Sequence, residues 1–437
     1  MTESPSRKAT ATGGRGATAR HIPPTLALAV GRPACPAPAG WRWRALDELA
    51  RMESGHTPSR RHPEYWGGTI PWISIRDAKA NHGKEIHDTL EKTNELGIAN
   101  SSARVLPEGT VCLSRTASVG YVVVTTKPMA TSQDFVNWIC GEELEPRFLQ
   151  YLLLAEGRNL LRFASGAVHQ TIYFPEAKAF YVCVPSRSEQ IRLIGLLDEA
   201  LNGITKARTA AEKNLESVRT IFESELHSVL SRRRSGWVPT TFGAETDLLA
   251  GFAFKSHQYT EAENATRLLR GDNIIPGSLR WDDAKKWPAN DVDAYGRYQL
   301  KEGDIVLAMD RPWIKSGLKH AAISADDIPC LLVQRTARLR SGVNLDSRFL
   351  MYLIGSPPFI RHILGVQTGI GVPHISSQQI NAFKFHRPPI TEQRQIAGNL
   401  DAFKAETQRL ESIYKKKLAA LDELKQSLLH QAFSGQL

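Results

Sequence analysis

Long apolar runs are missing from this chain, and so are most signatures of chemistry. No stretch approaches the ~18 consecutive apolar residues of a membrane-spanning helix, so no membrane partner is expected. Cysteine is scarce: Cys35, Cys112, Cys140, Cys183 and Cys330 form no CxxC pair and mostly sit in apolar, strand-like runs. That usage suits buried thiols in a reducing cytosol rather than a disulfide framework or metal ligands, and points to a cytoplasmic protein. No GxxxxGK[ST] phosphate loop, HExxH helix or paired Cys/His zinc spacing occurs. Asp282 and Asp283 with Lys285 lie in a polar stretch without the strand context of a Mg²⁺ nuclease site. Ser356 to Phe359 reads SPPF, like the catalytic tetrapeptide of amino-methyltransferases, but the only glycine pair in suitable surroundings is the GIG of Gly369 to Gly371. A serine cap with proline opening a helix is the better reading.

What is present is a repeat. SEQIRLIGLLDEA, beginning at Ser188, returns as TEQRQIAGNLDAF from Thr391. Glu189, Gln190, Leu197, Asp198, Ser224, Leu226 and His227 meet Glu392, Gln393, Leu400, Asp401, Ser427, Leu429 and His430, all at a step of 203 positions. Each copy lacks proline and carries apolar residues at steps of three and four, which predicts one long helix per copy. A stripe sustained over several heptads wants a partner helix. At 1.5 Å per residue such a helix would span roughly 65 Å, so an antiparallel pair would make a rigid spacer.

The segments before the helices repeat as well. Leu106, Glu108 and Gly109 match Leu300, Glu302 and Gly303; Phe148, Leu149 and Tyr151 match Phe349, Leu350 and Tyr352; Gly166 matches Gly369. Strand-like runs alternate with short helical ones. The expected fold is therefore α+β: two pseudo-twofold-related α+β domains separated by a long antiparallel two-helix coiled coil. The expected boundaries are a disordered leader at 1–40, rich in Pro, Gly, Ala, Thr and Arg, a first domain at 41–187, a first spacer helix at 188–232, a second domain at 237–390 and a second spacer helix at 391–434. A net charge of +10 and an isoelectric point near 9.3 suit a polyanionic partner, usually nucleic acid.

PEGTVCLSRTASVGYV (107–122) with ATSQDF (130–135), KEGDIVLAM (301–309) with LLVQR (331–335), the Pro-x-x-x-Glu-Gln openings of both helices and the ending QAFSGQL together resemble the specificity subunit of type I restriction-modification enzymes. The resemblance spans roughly Trp41 to Leu437. It implies two target recognition domains, each reading one half of a bipartite asymmetric site in double-stranded DNA. It also implies that the helices dock two modification (methyltransferase) subunits, joined in turn by restriction (motor nuclease) subunits. No catalytic centre or cofactor is expected in this chain; S-adenosylmethionine, ATP and Mg²⁺ would belong to the partner subunits. The loop MDRPWIKSGLK departs from the small-residue loop SRTASVG of the first half.

Groove reading needs donors and acceptors: Arg for guanine edges, Asn or Gln for adenine, Lys and Ser for phosphates. The first-domain candidates are Arg76 and Lys79, Arg115 and Ser118, His169 and Gln170; the second-domain candidates are Arg270 and Asn273, Arg311, Lys315 and Lys319, Gln367 and His374. All fall in predicted loops at corresponding places. Gln133 and Gln334 share one framework position and read as sheet hydrogen-bonding residues. Trp66, Trp72, Trp281, Trp287 and Trp313 read as core or rim packing. Two other functions stay open at this point: a self-contained DNA amino-methyltransferase using SPPF, and a coiled-coil scaffold with no DNA role.

Overall fold

The computed structural model describes residues 22–116, 118–166, 169–231, 234–368 and 373–437. It divides into two compact units, one built from the chain up to Ala210 together with Lys417–Leu437, the other from Ala211–Lys416. Both long helices contribute to both units: the first runs Arg187–Ser231 and the second Ile390–Phe433.

In the first unit the central sheet has the order Ala50–Ser54, Phe135–Cys140, Val111–Ser114, Val122–Thr125 and Glu85–Ile86. The strands Val111–Ser114 and Val122–Thr125 are apolar without alternation and buried along their whole length, so they form the middle of the sheet rather than a face-exposed ribbon. Helix Pro146–Glu156 covers them with Phe148, Leu149, Leu152 and Leu153, all at or below 1 % exposure. A parallel pair joins Trp66–Ile73 to Ala130–Thr131. A third sheet sets Phe180–Val184 between Arg42–Ala45 and Leu28–Val30.

That last strand corrects the expectation of a disordered leader through Gly40. Leu28, Ala29 and Val30 are fully buried, Thr25 Oγ1 donates to Glu156 at 2.6 Å, and Arg162 donates to the Pro23 carbonyl. The apolar run ALAV supplies the free energy that its Pro- and Gly-rich surroundings lack. Residues 1–21 lie outside the described residues.

The second unit repeats the plan. Its sheet has the order Thr246–Ala250, Thr336–Ser341, Ile305–Ala308 and His320–Ala322, with helix Ser347–Ile354 on it. Thr266–Leu269 runs parallel to Cys330–Leu332, and Val238–Thr241 pairs with Lys384–Arg387. This last sheet has only two strands, since no counterpart of Leu28–Val30 is present among the described residues.

Within each unit the long helices run antiparallel. In the first, Arg192 donates to the Leu437 carbonyl at 3.0 Å and Arg208 pairs with Asp422. In the second, Phe222 stacks near Phe403 with centroids 6.1 Å apart, and Arg219 and Arg234 face Glu411 and Glu392 at 3.4 and 3.2 Å.

The repeated helix residues pin each domain to its helix. Gln190 is wholly buried: its Oε1 accepts from the Glu145 amide at 2.9 Å and its Nε2 donates to the carbonyls of Glu143 and Pro185. Gln393 makes the same three bonds, from the Asp346 amide and to Asn344 and Pro388. Asp198 takes both arms of Arg147 and the Tyr151 hydroxyl, while Asp401 takes Arg348 at 3.1 Å and the Tyr352 hydroxyl at 2.7 Å. Burial comes first among the causes that push both tyrosine hydroxyls above their usual range, and the hydrogen bond to the neighbouring aspartate adds to it. Gly109 and Gly303 open equivalent turns at φ 77° and 83°, a conformation that L side chains resist.

Candidate nucleic-acid interface

In both units one strand of the central sheet ends in a loop that is tied to the turn following the domain's helices. In the first, Thr116 bridges Thr171, Ser165 bridges Thr171, and the Ile172 amide donates to Arg115 O at 2.9 Å. In the second, Asp310 bridges His374, Thr368 bridges His374, and the Ile375 amide donates to Met309 O at 2.9 Å. The same polar surface is thus built twice, and most candidate residues lie on it.

These bonds also fix the register, in step with the sequence matches of Gly109 to Gly303 and Gly166 to Gly369. Arg115 corresponds to Met309, not to Arg311, and Thr171 corresponds to His374. The upstream candidates shift in the same way. Ser74 N donates to Asp77 Oδ2, and Arg270 N donates to Asn273 Oδ1, both at 2.9 Å, so Asn273 matches Asp77 and Arg76 matches Asp272.

The first-domain candidates divide by exposure. Arg76 and Lys79 are exposed, on the short helix Ile75–Ala80 rather than in a loop. Arg76 lines a cleft of about 500 Å³ with Thr57, Arg60, Trp72, Glu91 and Gln133. His169 and Gln170 are exposed on the bridged turn. Arg115 is folded inward: its guanidinium lies 4.2 Å from the Phe174 ring centroid and donates to Gln133 O at 3.0 Å, and burial lowers its pKa while Asp134 opposes the shift. Ser118 is half-buried and lines a separate cleft with His82, Arg158 and Lys425.

The second-domain candidates divide likewise. Asn273 is 6 % exposed and uses both ends of its amide within the protein, accepting from Arg270 N and donating to Arg280 O, so it serves as a turn clamp. Lys319 is 8 % exposed; desolvation holds its ammonium below the usual lysine range, with Asp272 opposing and Arg311 reinforcing the shift. Arg270 is half-buried and faces Asp272 at 3.6 Å. Gln367 is half-buried at the end of helix Pro357–Val366, and His374 Nε2 shares a 2.9 Å hydrogen bond with Thr368 Oγ1. Arg311 and Lys315 are exposed. The GIG turn, at 369–371, lies outside the described residues.

Gln133 and Gln334 are not sheet residues. Both are exposed in turns that precede the strands Phe135–Cys140 and Thr336–Ser341, and Gln133 accepts from Thr57. Their turns recur because the sheet plan recurs, and that accounts for the shared position. Four of the five singled-out tryptophans pack against protein: Trp66 against Trp72, both under Arg60, Trp281 through Asp327, and Trp287 in an aromatic cluster with Phe254 and Tyr295. Trp313 is 42 % exposed.

The SPPF segment is closed to chemistry. Ser356 is 1 % exposed and its hydroxyl donates to Leu353 O at 2.6 Å instead of capping the helix that Pro357 opens, while Phe359 is core. No group of three His, Cys, Asp or Glu side chains able to hold a metal ion occurs among the described residues. No single described helix is long and apolar enough to cross a membrane.

Residues 38–213 match the family model of the type I restriction modification DNA specificity domain. The EcoAI type I restriction enzyme specificity subunit of Escherichia coli is 37% identical over 181 residues, covering 41% of this chain and 30% of that protein. The MjaVIII specificity subunit of Methanocaldococcus jannaschii is 26% identical over 248 residues, 56% of this chain and 57% of that protein. The chain thus aligns with less than two thirds of the length of either relative. Among solved structures, a chain from work on complex assembly and conformational transition of the type I R-M system superposes with a TM-score of 0.75 at 17% identity, over 92% of this chain and 100% of that one. The HsdS subunit from Thermoanaerobacter tengcongensis gives 0.58 at 18% identity, over 92% and 99%. Over residues 38–213 the chain is thus similar to the type I restriction modification DNA specificity domain, and its two like domains, each pinned by the same glutamine and aspartate to the long helices, share the fold of the solved structures.

Proposed function

We propose that this chain is the DNA-recognition subunit of a type I restriction-modification complex and has no catalytic centre of its own. Each domain reads one half of a bipartite asymmetric site through the loop-and-turn surface described above, and the length of the paired helices sets the gap between the halves. The helices also dock two modification subunits, with restriction subunits joining that assembly. S-adenosylmethionine, ATP and Mg²⁺ would be held by those partners.

The observation that carries this reading is the duplication of one polar surface on two matching frameworks with unlike side chains. A duplex offers two half-sites to such a pair, and unlike surfaces select unlike sequences. Of the candidates, Arg76, Lys79, His169, Gln170, Arg311 and Lys315 are free enough of solvent cover to meet bases or phosphates. Arg115, Asn273 and Lys319 support the loops that present them.

The test is co-expression with a modification subunit, followed by sequencing of methylated bases in the host DNA. A split motif with a fixed run of unspecified bases, lost when this chain is omitted, is the expected result. An unsplit motif, or methylation that persists without this chain, would overturn the proposal. A scaffold with no DNA role predicts the second of these.

A further inference from the structure

The two units differ in one loop that has grown. Ser114 N donates to Tyr121 O at 2.8 Å, and its equivalent Ala308 N donates to Lys319 O at 3.0 Å. Between these closures the first unit has residues 115–120 and the second has 309–318, six against ten. The added length forms a two-stranded hairpin in which Trp313 faces Leu318 and Ile314 faces Gly317, with Lys315 and Ser316 at the tip.

The base of this hairpin is anchored. Pro312 and Leu318 are buried, the Lys319 amide donates to Pro312 O at 2.8 Å, and the Arg311 amide donates to Pro373 O at 2.7 Å. The tip is exposed and carries an indole, an ammonium and a hydroxyl. No carboxylate of the described residues lies within 4.0 Å of Arg311 or Lys315. The acids nearby are already matched, Asp272 by Arg270 and Asp310 by Arg335, each at 3.6 Å. In the first unit the corresponding loop is shorter and its arginine is turned inward onto Phe174.

We infer that the hairpin Trp313–Leu318 enters the major groove of the second domain's half-site and is its main reading element, Lys315 donating to a base edge and Trp313 packing against base edges. The groove, about 12 Å wide, admits a two-stranded β-ribbon. A basic tip with no acidic partner suits the phosphate field, and an exposed indole on an anchored support presents apolar surface without an ordering cost on binding. The inference rests on the DNA-recognition reading proposed above.

The experiment uses the full chain with its modification subunit and compares the methylated motif made by the unaltered protein with those made by Trp313→Ala, Lys315→Ala and Trp313→Phe. Trp313→Ala and Lys315→Ala should leave the first half-site intact and raise methylation at second half-sites with a wrong base by roughly tenfold or more. Trp313→Phe, which keeps a ring, should retain most of the selection. Unchanged motifs in Trp313→Ala and Lys315→Ala would sink the inference while leaving the bipartite reading in place. So would a loss confined to the first half-site, or a uniform loss of methylation with both half-sites still selected. An unsplit motif in the unaltered protein would instead remove the recognition reading and the hairpin with it.

Discussion

The two halves agree where the domain meets its helix and diverge where the domain meets solvent. Gln190 and Gln393 are both wholly buried and make the same three bonds, to residues at matching positions of which only Pro185 and Pro388 agree in type. The strand-end loops, by contrast, share only their backbone ties to the following turn. A buried amide with all its partners satisfied tolerates little change, because any replacement strands donors and acceptors in a dry site. A solvent loop has no such obligation, so it is where two copies of one domain can come to read different things.

Breaking the comparison starts with the feature that one half has alone. Leu28 lies in the strand that completes the first unit's third sheet, so Leu28→Ala should cost roughly 2–5 kcal/mol. Hydrogen exchange should quicken along Phe180–Val184 and stay unchanged along Lys384–Arg387, which has no such cover. Equal quickening in both would mean that the strand supports more than its own unit.

The pins should respond alike. Gln190→Ala and Gln393→Ala each strand one amide and two carbonyls, at a cost of about 2–3 kcal/mol in denaturant unfolding. The aspartates should respond unequally. Asp198 receives a two-armed bond from Arg147, whereas Arg348 reaches Asp401 with one. These pairs are a third or more exposed, so solvent screens them. Asp198→Ala is expected to cost about 1–2 kcal/mol and Asp401→Ala about half of that. A larger loss at Asp401 would show that arm count does not set the difference.

Much of this plan was legible in the sequence because each pin is a polar residue repeated at one step inside an apolar stripe. The long helices, the glycine turns at Gly109 and Gly303 and the duplicated sheet all left such marks. The site of the added loop residues left none. Four added residues between Ala308 and Lys319 slide Arg311 away from Arg115, and nothing in the residue types marks where the insertion falls. Burial was equally hard to read: Asn273 and Lys319 look like DNA ligands in one dimension, yet both side chains are buried. The strand Leu28–Val30 is too short to show alternation, so its composition-poor surroundings concealed it.

The smallest expected effect separates the arginines of the two strand-end loops, Arg115 and Arg311. Arg115 gives its guanidinium to a ring and to the Gln133 carbonyl, so Arg115→Ala should cost about 1 kcal/mol through lost contacts within the protein. Arg311 contributes nothing comparable and sits at φ 44°, a left-handed conformation that costs a side-chain-bearing residue roughly 1–2 kcal/mol. Arg311→Gly relieves that strain, and the looser unfolded chain that glycine brings takes back about 0.5–1 kcal/mol. Stability should therefore stay level or rise slightly, while binding to DNA weakens and its salt dependence flattens by about one phosphate contact. Level stability together with weaker DNA binding would show that the exposed Arg311, held at positive φ, serves a contact outside the chain. If Arg311→Gly instead destabilised the second unit as much as Arg115→Ala does the first, both arginines would be structural and the contrast between the two loops would vanish.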